Sequence, residues 1–442
     1  MKGQVSTPPA VLDVMVKKLF KKRPPKPNDQ ILDPGCGNGT FIKGILQWLN
    51  DNKIKAPQIV GVESDPEILK KAQESLKGYE NITLLNQDFL LEEFGTYNFM
   101  ICNPPYVRIE KINESERNIY RKRFRTARNR FDLYVLFFEK ALKCLAPSGR
   151  LVFITPEKYE YTLTTTPLRR LMANYHVVEI HHLDEDAFRG LVTYPTITTI
   201  DNEFWGETRV IHRNGSTANL MLPSDGSPWI PAIRGETELH ETKLTLKNLC
   251  KRISCGVATG KDRVFVIPKD KVPDGLMPFA YRTVSGKELE TGGINDSKRM
   301  IIPYDRFGKL LQENELGELK QWLYKFKDSL VSRSCVLKGK RKWYAFHENP
   351  PMVDILKPKI LCKDITKEPR FWLDKEGNIV PRHSVYYIVT KNPQILSKLL
   401  DYLNNEPAHR WLSVHCQRAA NDFIRLQSTT LKELPVPEDL NV

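Results

Sequence analysis

The sequence predicts an α/β fold, a mostly parallel sheet covered by helices, followed by a second domain of mixed α+β character. Three observations carry this expectation. Through residue 205, apolar β-type runs alternate with amphipathic helical stretches. The first of those runs closes in a turn with glycine at every second position. From 206 to about 245 the composition shifts to Gly, Ser and Pro with only short β-like pieces, as expected of a connection. The expected organisation is therefore a first domain over 1–205, a connecting segment over 206–245 and a second domain over 246–442.

Strands are expected at 30–33, 58–63, 81–85, 98–102, 150–155, 177–181 and 196–203. One helix starts at Asp132, carries Leu133, Leu136, Phe137, Ala141 and Leu145 at helical spacing, and stops at Pro147 and Gly149. Another begins at Thr7, with Pro8 at the first helical position and Val11, Met15 and Leu19 on one face. Beyond 245 short strands mix with helices, without repeats or low-complexity tracts.

No apolar run approaches the roughly 20 residues a membrane-spanning helix needs, and the segment from Met1 to Pro9 lacks a signal-peptide core, so an intracellular, cytoplasmic protein is expected. The eight cysteines form no C-x-x-C pair and no dense framework, so most are expected as small buried apolar residues. The net charge of +14 favours a polyanionic partner. Residues 1–250 carry 34 basic and 30 acidic side chains, whereas 251–442 carry 33 and 23, so the C-terminal half is the basic one. Within the first half, residues 107–131 hold nine basic side chains against Glu110, Glu114 and Glu116, which reads either as a solvated helix face or as a nucleic-acid contact.

The turn Asp33-Pro34-Gly35-Cys36-Gly37-Asn38-Gly39 leads into a helix at Thr40 and lets a ligand approach the backbone without Cβ obstruction. Its D-x-G-x-G-x-G spacing differs from the dinucleotide fingerprint G-x-G-x-x-G. Two further acids follow in register. Glu63 ends the second strand, where a carboxylate can accept both hydroxyls of a ribose. Asp88 follows the third, where it can accept from an adenine amine while Phe89 stacks on the ring. The fourth strand ends in Asn103-Pro104-Pro105-Tyr106. Two prolines stiffen this turn and leave the Pro104 carbonyl and the Asn103 amide as fixed acceptors. Acceptors so placed suit an exocyclic amine, whose nitrogen lone pair is delocalised into a π system. Holding its hydrogens out of plane localises that pair for attack, and Tyr106 offers a face for a planar substrate.

The glycine-rich turn resembles the first motif of class I S-adenosylmethionine (AdoMet) methyltransferases, built on a Rossmann-like, mostly parallel sheet with helices on both faces. The order of motifs is similar to that of the γ class of amino-group DNA methyltransferases, the TaqI-like adenine-N6 enzymes. Further matches are Phe131-Asp132-Leu133-Tyr134, the run from Gly149 to Pro156, and Gly256-Val257-Ala258-Thr259-Gly260. The resemblance implies one antiparallel hairpin at the edge of the catalytic sheet. It implies AdoMet as cofactor, held by Thr7 near its carboxylate and by Asp33, Gly35, Gly37, Glu63, Asp88 and Phe89. It implies catalysis by Asn103, Pro104 and Tyr106, with Phe188 sandwiching a flipped base against the tyrosine and Tyr194 as the competitor for that position. It implies no metal, duplex DNA as partner, a monomer, a C-terminal target-recognition domain, and a separately encoded restriction endonuclease as a further partner. Cytosine-N4 methylation needs the same chemistry. Protein-glutamine and ribosomal RNA guanine-N2 methyltransferases share N-P-P-Y, although a basic domain of this size fits neither. A DNA specificity subunit with a degenerate catalytic lobe is the non-enzyme alternative, against which the intact acids and Asn103 stand.

Overall fold

The computed structural model describes residues 6–188, 194–235, 242–419 and 423–440, in two compact units, Met1–Glu236 and Thr237–Val442. In the first unit the chain runs α1 (Pro9–Phe20), β1 (Gln30–Asp33), α2 (Thr40–Asp51), β2 (Gln58–Glu63), α3 (Pro66–Ser75), β3 (Ile82–Asn86), β4 (Tyr97–Cys102), α4 (Glu114–Arg123), α5 (Leu133–Lys143), β5 (Leu145–Pro156), α6 (Thr166–Met172), β6 (His176–His182), β7 (Pro195–Asp201), β8 (Thr208–Ile211), β9 (Thr217–Leu220) and α7 (Ile230–Ile233). The nine strands form one sheet in the order β3-β2-β1-β4-β5-β7-β6-β8-β9. From β3 to β5 every pairing is parallel. β7 runs antiparallel to both β5 and β6, so the hairpin expected at the edge lies inside the sheet.

The strands alternate their side chains between two cores, as a sheet covered on both faces must. Ile31, Phe99, Ile101, Val152 and Ile154 pack with α1 and α2. Leu32, Met100, Cys102, Leu151 and Phe153 pack with α5 and α6. The helix expected to run to Leu145 ends at Lys143, and Leu145 opens β5, because the carbonyl of its neighbour Cys144 already accepts from Tyr97 N (2.8 Å) at the start of the sheet ladder.

The segment over 206–245 is not a connection through most of its length. β8 pairs parallel with β6, and β9 pairs with β8. Trp229 is 1% exposed in the same core. The fully buried Arg169 of α6 donates from Nε to Gly226 O (3.0 Å) and Ser227 O (2.9 Å), fastening this stretch to the first unit. Its Gly, Ser and Pro content reflects tight turns between short strands rather than a linker.

The second unit is α+β. One antiparallel sheet orders Cys250–Cys255, Val385–Thr390, Lys359–Lys363 and Phe371–Asp374, and a second orders Val266–Pro268, Lys298–Ile301, Ala280–Val284 and Ile379–Pro381. Helices Leu396–Leu403 and Glu406–His415 cover the first sheet's core. Tyr344, Phe371 and Trp372, flanked by basic residues in the sequence, are buried core. Six of the eight cysteines are buried, and all eight are free thiols. Among the described residues no helix is long and apolar enough to cross a membrane.

Candidate cofactor site and catalytic turn

At the C-terminal ends of β1, β2 and β4, where a doubly wound sheet binds ligands, the first unit contains a cavity of about 660 Å³ lined by Thr7, Gly35, Gly37, Glu63, Asp88, Phe89 and Asn103. Residues far apart in the chain thus meet because parallel strands end on one level. The glycine turn makes the cavity floor. Gly37 (φ 53°) and Gly39 (φ 83°) adopt left-handed conformations that side chains resist. A Cβ on Gly39 would also stand 2.8 Å from Leu76 Cδ1.

Asp33 lies beneath this turn, fully buried. Its Oδ1 accepts from Gly35 N (3.3 Å), while Oδ2 has no hydrogen-bond partner among the described residues. Burial, against the opposing Gly35 N–H and reinforced by the Glu63 charge, lifts its pKa to about 7. Glu63 (5% exposed) ends β2, and its Oε1 accepts from Asp65 N (2.9 Å). Asp88 accepts from Leu90 N (2.8 Å), and burial raises its pKa. Phe89 is buried with its ring 5.4 Å from Phe137, which also lines the cavity. An apolar slot bounded by acids suits a purine nucleoside carrying positive charge. The unpartnered Asp33 oxygen and the side-chain-free turn therefore fit AdoMet.

The Asn103-Pro104-Pro105-Tyr106 turn forms the adjoining wall. Asn103 Nδ2 donates to Thr7 Oγ1 (3.1 Å), which ties the end of β4 to the head of α1. Pro105 and Val107 line the cavity, whereas Pro104 is buried in the turn. Tyr106 stands beside the cavity, half-buried. Its hydroxyl donates to Ile154 O (3.0 Å), its ring meets Tyr134 edge-on at 6.3 Å, and burial pushes its pKa up.

Phe188 is a correction. Its ring is 2% exposed in the α1/α2 core with Ile101, Val152, Ile154 and Ile197, on the sheet face opposite the cluster against which Tyr106 packs. An aromatic ring following the one-turn helix 185–187 covers apolar sheet surface there and is not open to a substrate. Tyr194, the competitor for that position, has its ring under the Arg213 guanidinium at 4.5 Å.

Sequence reasoning missed Lys111, Ile112, Glu116 and Tyr120, which line the cavity from the basic segment. Their signal was hidden, since charge dominates that stretch and the buried Ile109, Ile112, Tyr120 and Phe124 that mark its inner face are scattered among the charges. Phe137 read as core stripe, and its second role depends on Phe89 arriving from another loop. Among the described residues no group of three or more His, Cys, Asp or Glu side chains could hold a metal ion.

The sheet order, the glycine turn and the acids in register define a class I AdoMet-dependent methyltransferase. Two family profiles match the chain: the Eco57I restriction-modification methylase over residues 42–188 and the TaqI-like C-terminal specificity domain over 295–436. The chain is a TaqI-like γ-class methyltransferase with a C-terminal recognition domain, and its cofactor is AdoMet. It is 26% identical to the Type II methyltransferase M.PaeR7I of Pseudomonas aeruginosa, covering 99% of this chain and 86% of that one. It is 27% identical to M.XhoI of Xanthomonas vasicola, covering 85% and 74%. The Type IIL restriction-modification enzyme MmeI, solved in complex with DNA, shares the fold with a TM-score of 0.63 at 13% identity, over 96% of this chain and 64% of that one.

Proposed function

We propose that this protein transfers the AdoMet methyl group to adenine N6 within a short duplex DNA sequence, as the modification enzyme of a restriction-modification system. The observation that carries the reading is the Asn103-Pro104-Pro105-Tyr106 turn at the wall of the cofactor cavity, with the Asn103 amide nitrogen held by Thr7. The relatives named as Type II methyltransferases support DNA as the substrate.

When bound, AdoMet supplies an electrophilic methyl on a sulfonium. The chain's own residues prepare the nucleophile. With Nδ2 engaged by Thr7, Asn103 accepts from the target amine through Oδ1, and the Pro104 carbonyl accepts the second hydrogen. Both contacts strengthen as the nitrogen becomes tetrahedral, so they act in the transition state. Tyr106 supports the planar base, and its hydroxyl bond to Ile154 O fixes the ring plane. A nitrogen inside a stacked duplex cannot reach a recessed wall, so the base must leave the helix. The cavity's acids orient the cofactor, and transfer is direct, without a covalent enzyme intermediate.

The test is to incubate the protein with unmethylated genomic DNA and AdoMet and to map modified bases by single-molecule sequencing. N6-methyladenine within one short motif is the expected result. N4-methylcytosine would move the target to cytosine, and methyl transfer to protein or RNA with none to DNA would overturn the proposal.

A further inference from the structure

The basic segment over 107–131 follows the catalytic turn directly and is pinned into a closed loop. Leu133 N donates to Val107 O (2.9 Å) and Ile109 N to Phe131 O (3.2 Å). Its two faces differ. Tyr120 and Ile112, 5% and 6% exposed, line the cavity beside Asp88 and Phe89. One helical turn from Tyr120, Arg123 donates to Leu91 O in the loop that carries those two residues. The C-terminal end is anchored to α5, where the buried Glu139 accepts from Arg125 N (3.2 Å) and Thr126 N (2.8 Å). On the other side Arg121, Lys122 and Arg128 are exposed. Helical spacing sets Lys122 opposite Tyr120 on α4, so one short helix presents a cofactor wall inward and cations outward.

We propose that this segment is a two-faced strap: its inner face closes the nucleoside end of the cofactor pocket, and its outer face binds the phosphate backbone of duplex DNA, so that each ligand tightens the binding of the other. The inference rests on the cofactor and DNA readings above. A bare run of cations on a surface helix would be satisfied by water and screened by salt. Here the same helix is packed against the cavity and tied to its adenine-side loop. Ordering of the outer face by phosphates therefore orders the inner wall, and thermodynamic linkage makes the effect reciprocal. The position also suits the substrate, because a base brought to Asn103 carries its flanking phosphates to within reach of residues that begin at Val107.

The test titrates sinefungin, an unreactive AdoMet analogue, and a duplex of about 20 base pairs into the full chain, separately and together, across a salt series. In the unaltered protein the duplex should tighten sinefungin at least about fivefold, and sinefungin should tighten the duplex by the same factor. The triple variant Arg121→Gln/Lys122→Gln/Arg128→Gln should bind sinefungin alone within about twofold of the unaltered chain. Its log-log salt slope for the duplex should fall by about 2 to 3, at about 0.9 per lost phosphate contact, and the coupling should drop below about twofold. Tyr120→Ala should do the converse, weakening sinefungin alone at least about fivefold while keeping the salt slope and losing the coupling. An unchanged slope or a retained coupling factor in the triple variant overturns the strap while leaving the cofactor reading intact. Failure of sinefungin to bind the unaltered chain overturns that reading and the coupling with it.

Discussion

Asn103 and Asp33 occupy neighbouring strand ends, and because the proposed function sets the first against the substrate and the second against the cofactor, their substitutions should separate. Asn103→Ala should reduce methylation at least about a hundredfold while AdoMet binding, followed by calorimetric titration, stays within a few-fold. Thr7→Val removes the oxygen that accepts from Asn103 Nδ2 but keeps the shape, so turnover should fall about tenfold or more. Thr7→Ser should restore it, a rescue that a purely steric role would not produce. Asp33 makes a prediction with a definite sign. In the folded, cofactor-free protein its proton is held to about pH 7 against an ordinary value of 3.8. Between those values the native state binds more protons than the unfolded chain, so this group's contribution to stability falls as pH rises from about 4 to 7 and is flat above. A cationic cofactor favours the ionised form. AdoMet affinity should therefore rise as pH increases toward about 7 and level off beyond it, and Asp33→Asn should flatten that profile.

At the scale of elements, what matters is which face of the sheet a ring occupies. Phe188 and Tyr106 are both aromatic residues just outside strands, yet the first is sealed among Ile101, Val152, Ile154 and Ile197 while the second stands half-buried beside the cavity. Phe188→Ala leaves a cavity in a packed core and should cost roughly 3 to 5 kcal/mol of stability, visible as a lowered melting temperature. Tyr106→Ala should leave the melting temperature within a few degrees and lower turnover instead, because stacking on a base is worth about 1 to 3 kcal/mol. Thermal denaturation and methylation assays on the two variants decide the matter. Reversed outcomes would return Phe188 to the substrate.

For the whole molecule the relevant boundary falls after Glu236, not at 205. A fragment ending at Glu236 keeps β8, β9 and Trp229. Such a fragment should melt cooperatively and bind AdoMet, because every residue around the cavity precedes the cut. A fragment ending at Trp205 exposes the β6 edge and unfastens Arg169 from Gly226 and Ser227, and should aggregate or resist folding. The longer fragment should also lose preference for a site-containing duplex over a scrambled one, as the specificity domain matched over 295–436 is missing from it. Circular dichroism and fluorescence anisotropy on the two fragments measure both outcomes.

The sequence by itself determined the parallel sheet, the glycine turn, the acids at successive strand ends and the Asn-Pro-Pro-Tyr tetrapeptide that ends the fourth strand. Each is a local signal: an apolar run, a left-handed turn that favours glycine, a residue type at a fixed offset from a strand. Only the tertiary structure decided matters that depend on neighbours distant in the chain. Gly, Ser and Pro read as a linker until β6 and Arg169 supplied partners for 206–235. Phe188 read as a stacking ring until the sheet offered it an apolar face to cover. The charges of 107–131 concealed Tyr120, whose role exists only because Asp88 and Phe89 arrive opposite it. The physical reason is the same in each case: backbone conformation is set by the nearest residues, whereas burial and hydrogen-bond partnership are set by whatever the fold brings alongside.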